Sequence, residues 1–151
     1  MINLLREEEG ALRVFLDLLR HERQALLDGD AETLQEITSG KSAASQRLDQ
    51  IEKRRKDLQA EAGVAPGKAG FETWLAQQAG SSSLHSAWQS LLRLAEQARD
   101  LNLGNGGLIA LRMQHNQQAL AVLLGSGEQT ALYGADGQTR TGGAGRSLGA
   151  V

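Results

Sequence analysis

The sequence predicts an all-α fold: an elongated antiparallel bundle of three long helices plus one short helix, with a flexible glycine-rich C-terminal tail. Three observations carry this prediction. Aromatics make up 3% of the 151 residues, so the core falls to Leu and Ala, which suit helix-on-helix packing better than sheets. Pro66 is the single proline, which leaves long stretches free to stay helical. Leu5, Leu12, Leu19 and Leu26 recur every seventh residue, a spacing that lays one apolar stripe along a helix.

That stripe, with Phe15 and Leu16 filling the intermediate turn, predicts a first helix over residues 2–28. Asp28, Gly29 and Asp30 follow. Gly29 can take the left-handed closing conformation and Asp30 can cap the next helix, so the turn is tight and the two helices should run antiparallel. The second helix carries a heptad seam through Leu34, Ile37, Lys41, Ala44, Leu48, Ile51, Arg55, Leu58 and Ala62. Two cations on a seam imply a shallow, partly wet interface in which the charged heads reach water or a carboxylate. The run from Glu52 to Asp57 reads as a solvated helix face.

Gly63, Pro66, Gly67 and Gly70 break the pattern, and Phe71, Trp74 and Leu75 then share one face of a short helix ending near Gly80. Ser81, Ser82 and Ser83 offer N-caps for a third long helix bearing Leu84, Trp88, Leu91, Leu94, Ala95, Ala98 and Leu101. In Asn102–Gly107 three glycines each cost a helix about 1 kcal/mol relative to Ala. Leu108, Ile109, Leu111, Met113, Leu120, Leu123 and Leu124 nevertheless resume an apolar face, displaced from the earlier one, so the expectation is a continuous helix with a local bend, the glycines allowing close backbone approach. Residues 1–124 form the expected bundle and 125–151 the tail. Eight of the 18 glycines lie in that tail, which has too few apolar side chains to offset its ordering entropy. Leu132 and Tyr133 stand out there as an apolar pair, a candidate docking element.

Net charge is −2 with the two signs interleaved, so no extended positive field exists for nucleic acid. The absence of cysteine removes disulfides, thiolate metal sites and Cys nucleophiles. The N-terminus carries Arg6, Glu7, Glu8 and Glu9 where a signal peptide needs an apolar stretch, so a cytoplasmic protein without membrane insertion is expected. His21, His85 and His115 lack a second ligand at helical spacing, the glycine clusters lack the flanking strand or helix of a phosphate cradle, and Ser81–Ser83 sit at a cap. No catalytic residue, metal site or cofactor is expected. A histidine phosphotransfer domain, with His21 as the phosphorylated residue, is disfavoured by the adjoining Glu22, Arg23 and Gln24.

In order and spacing, several segments resemble the FlgN family of flagellar export chaperones. They are the Leu-rich first helix, the Asp28–Gly29–Asp30 turn, Leu34, Ile37 and Lys41 opening the second helix, Asn102-Leu103-Gly104-Asn105-Gly106-Gly107-Leu108-Ile109, and Leu132-Tyr133-Gly134-Ala135-Asp136-Gly137. The resemblance implies a cytoplasmic chaperone that binds the C-terminal helices of hook-filament junction proteins, prevents their premature assembly and delivers them to the flagellar export gate and export ATPase complex. By that carry-over Asn105, Leu108, Ile109, Arg112 and Leu120 belong to the client-binding region and Tyr133 to docking on the export gate. A generic coiled-coil adaptor or oligomerisation module is the rival reading, and the seams leave self-association open.

Overall fold

The computed structural model describes residues 1–78 and 80–130. The tail from 131 on, Leu132 and Tyr133 included, lies outside the described residues. The first long helix, α1, spans Ile2–Asp28. It stops where the chain can reverse at low cost: Gly29 adopts φ 80°, and the N–H groups of Gly29 and Asp30 both close on the carbonyl of Ala25, at 2.9 and 3.0 Å. Asp30 then caps α2, Ala31–Glu61, accepting from the Thr33 N–H at 3.0 Å and from its hydroxyl at 2.6 Å. These bonds hold the Asp30 carboxyl below its ordinary value, the Thr33 hydroxyl first and its N–H second.

The short helix α3 spans Gly67–Ala76, starting before Gly70 and ending short of Gly80, the limits that the sequence predicts; the preceding loop has Gly63 at positive φ, and Gly67, the first residue of the helix, is also at positive φ. Gly70 is obligatory for packing, because a Cβ there would lie 2.0 Å from the carbonyl oxygen of Ala65. This close turn seats Phe71 and Leu75 in the core, where Phe71 meets Trp88 edge-on at 4.6 Å and stacks on Trp74 at 5.4 Å. The last helix, α4, covers Ser82–Thr130. Its first helical bond runs from the His85 N–H to the Ser81 carbonyl, while the Ser81 hydroxyl donates to Gln78 O at 2.8 Å and lies 2.9 Å from His85 Nδ1.

The described chain divides into two compact units, Met1–Ile109 and the residues from Ala110 on. In the first unit α1 and α2 are antiparallel neighbours. Leu5, Leu12, Leu16 and Leu19 of α1, Val64, Phe71 and Leu75, and Ala87, Trp88, Leu91 and Ala98 of α4 form one core, as the apolar stripes predict. The seam of α2 is shallower. Ile37 and Ile51 are buried and Leu48 partly so, but Leu58 and Ala62, expected on the seam, are exposed and Gln59 is buried instead. A straight helix drifts by about 20° per heptad against a seven-residue repeat, so by the end of α2 the inward position has moved on by one residue.

Two sequence expectations are revised here. The helix expected to end at Leu124 continues to Thr130. The glycines of Gly104–Gly107 are helical without a left-handed residue among them, but close backbone approach is not their reason. A Cβ at Gly106 or Gly107 would meet nothing within 4 Å, and one at Gly104 only the end of the Arg23 side chain at 3.3 Å.

Candidate functional site

The two seam cations find buried carboxylates on α1, and the pairs repeat. Arg55 Nε donates to Glu8 Oε2 at 2.7 Å; fourteen residues on along α1 and fourteen back along α2, Lys41 Nζ donates to both oxygens of Glu22 at 2.8 Å. Phe15 and Leu48 occupy the same heptad step midway between them, both packed against the core. Each level extends to α4. The Arg55 guanidinium lies over the Trp88 ring, 5.5 Å from its centroid. Fourteen residues further along α4, Asn102 Oδ1 accepts from Lys41 Nζ at 3.4 Å. Antiparallel register between α1 and α2 is thus written twice, since sliding by one helical turn would strand two buried charges.

Asn105 completes the second level. Its Nδ2 donates to Leu19 O and to Glu22 Oε2, both at 2.8 Å, and the side chain is 1% exposed. These bonds fix α4 to α1 in the middle of the glycine-rich stretch and give a physical reason for unbroken helix there: the local cost of three glycines is met by a tertiary anchor. Asn105 Oδ1 has no hydrogen-bond partner among the described residues. Of the residues assigned to client binding by resemblance, Asn105 faces its own bundle, Leu108 is half-buried and Ile109 is 40% exposed.

In the second unit, described by itself, the α4 segment from Ala110 to Gly125 turns almost every side chain to solvent. Met113, Leu120 and Leu124 lie seven and four residues apart on one face, 58–73% exposed, and Leu111 and Val122 share the opposite face. Arg112, half-buried, is the one Lys, Arg, Asp or Glu of this stretch. Exposed apolar surface of this extent is uncommon on soluble chains and is characteristic of interaction surfaces. No described helix is long and apolar enough to cross a membrane. Among the described residues no group of three His, Cys, Asp or Glu could hold a metal ion, and His21 is exposed beside Glu22, whose carboxylate is committed to Lys41 and Asn105. Tyr133 lies outside the described residues.

The family model described as FlgN protein matches residues 1–141. The chain belongs to the FlgN family. Among FlgN relatives, the flagella synthesis protein FlgN of Escherichia coli (strain K12) is 31% identical over 144 residues, 93% of this chain and 91% of the relative. The FlgN of Salmonella typhimurium is 37% identical over 106 residues, 70% of this chain; the match spans 64% of that relative's length. The crystal structure of a Pseudomonas aeruginosa chain described as a flagella synthesis protein FlgN superposes with a TM-score of 0.64 at 27% identity, covering 71% of this chain and 84% of that one. The helical fold expected from the sequence is therefore the fold of a FlgN protein. What sequence reasoning missed in this FlgN chain is the carboxylate half of each level. Glu8 and Glu22 lie fourteen residues apart on α1, as Lys41 and Arg55 do on α2, and equal spacing of opposite charges on successive helices was the available signal.

Proposed function

We propose that this protein is a cytoplasmic flagellar export chaperone, a non-catalytic partner that covers the C-terminal apolar helix of hook-filament junction proteins until they are exported. The observation that carries the reading is the α4 surface of the second unit, where Met113, Leu120 and Leu124 form a solvent-exposed stripe at helical spacing. Such a stripe is the half of a helix–helix interface that an amphipathic client helix completes. The segment carries a single charged residue, Arg112, so recognition there rests on apolar contact, and a reversible complex suits a carrier that must let go. Membership of the FlgN family supports the flagellar setting. Ile109 and Leu108, in the first unit, and Arg112 and Leu120, in the second, are the proposed client contacts; Asn105 is assigned to holding α4 in place. Tyr133 is proposed to dock on the export gate.

The test is a pull-down with purified junction proteins, intact and lacking the C-terminal helix, against the wild type and Leu120→Asp/Leu124→Asp. Binding is expected to disappear on removal of either side, with the far-ultraviolet circular dichroism of the variant unchanged. Undiminished capture of the truncated client would overturn the chaperone reading in favour of a generic adaptor.

A further inference from the structure

We infer that Gln117 is the residue by which the client stripe selects its helix: the partner's apolar seam must carry one uncharged hydrogen-bonding side chain opposite Gln117. The inference rests on the chaperone reading and deepens it, apolar contact giving affinity and one amide giving selection. Within the second unit, Ala110, Met113, Gln117, Leu120 and Leu124 follow one another at spacings of three, four, three and four, which places them on a single seam of α4. All five are exposed. Four are apolar and the central one is not, so a helix laid along the seam to cover Met113 and Leu120 also covers the Gln117 amide. That amide makes no hydrogen bond among the described residues, and its bonds in a complex must come from the partner.

Charge does not choose the partner here. The positions flanking the seam are Gln114 and Ala121 on one side and Asn116 and Leu123 on the other, and Arg112 lies further round the helix. Where two helices pair through a heptad seam, charges on the flanks ordinarily set partner and register. Without them the choice falls to the seam itself. An amide covered by leucine loses its water and gains no bond, which lowers affinity about tenfold. Faced by another amide or a hydroxyl, it keeps a hydrogen bond. A charged side chain facing Gln117 would be covered between Met113 and Leu120 with no counter-ion on the seam or its flanks. The seam therefore accepts an uncharged polar residue. Because its neighbours on the seam are Met113 and Leu120, a slide by one helical turn would put each polar group against an aliphatic side chain, so the same residue sets the register.

Two designed helical peptides of eighteen residues test this on the full-length protein by fluorescence anisotropy. Both carry a seam of five positions at the same spacing, with lysine and glutamate confined to the opposite face. One has leucine at all five positions; the other has glutamine at the third, which is central in either direction of binding. The wild type is expected to bind the glutamine peptide about tenfold more tightly than the leucine peptide, and Gln117→Leu should reverse the order. Gln117→Leu should also weaken capture of purified junction proteins about tenfold, with helicity unchanged because the position is exposed in the free protein. Leu120→Asp/Leu124→Asp should abolish binding of both peptides. Equal affinities for the two peptides, or the same rank order in Gln117→Leu, would overturn the role of Gln117 while junction proteins are still captured and the chaperone reading stands. Undiminished peptide binding to Leu120→Asp/Leu124→Asp would overturn the seam and the chaperone reading together. Failure of both peptides to bind, with self-association that Leu120→Asp/Leu124→Asp abolishes, would also overturn the proposal and give the stripe to a second copy of the chain.

Discussion

The level formed by Glu22, Lys41 and Asn105 yields the sharpest stability prediction, because the two charged partners differ in exposure. The Glu22 side chain is 7% exposed and that of Lys41 21%. Lys41→Met leaves Glu22 ionised and buried with only the Asn105 amide to replace the ammonium, and breaking a buried pair from one side costs about 3 kcal/mol or more. Glu22→Leu costs less, about 2 kcal/mol, because the ammonium of Lys41 can turn to water and the main loss is the charge-assisted bond from Asn105. The double variant Glu22→Leu/Lys41→Met removes both charges and fills the space with apolar atoms, so it should lie within about 1 kcal/mol of the wild type. Urea unfolding followed by circular dichroism measures all three, and thermal unfolding should show a loss on the order of 10 °C in Tm for Lys41→Met. If Lys41→Met unfolds at the wild-type midpoint, or the double variant is as unstable as the sum of the singles, the level is a surface pair and the register argument fails.

Two further changes test the local reading of the helices. Gly106→Ala and Gly107→Ala each place a methyl group in open space on a right-handed helix, so each should stabilise the protein by about 1 kcal/mol in urea unfolding; a destabilisation would show that the glycines answer a packing demand. Asp30→Ala removes the cap of α2. Since the folded Asp30 carboxyl is held below its ordinary 3.8, its contribution is complete above that value and is lost as pH falls through the lowered one. The stability difference between wild type and Asp30→Ala should therefore persist at neutral pH and shrink on acidification below 3.8, measured by thermal unfolding across that range.

The helices were legible because their signals are local. The seven-residue leucines of α1, the Gly29–Asp30 reversal and the break at Gly63–Gly70 act over one or two turns, and each lies where the chain turns or packs. The resemblance of Asn102–Ile109 to a known family was legible for the same reason, as a short string in order. Seam cations at Lys41 and Arg55 announced that carboxylates or water must meet them, though not which carboxylates. Leu58 and Gln59 exchanged places because helical drift accumulates over several turns and no single turn reveals it.

The sequence by itself determined that this chain is helical, where its first two helices begin and end, and to which family its motifs belong, since propensity, capping and periodicity are properties of neighbouring residues. Tertiary structure alone decided that Glu8 and Glu22 are the partners of Arg55 and Lys41, and that Asn105 is an internal anchor. Each of these joins residues tens of positions apart, and a pairing between helices has no energy until the helices are placed side by side.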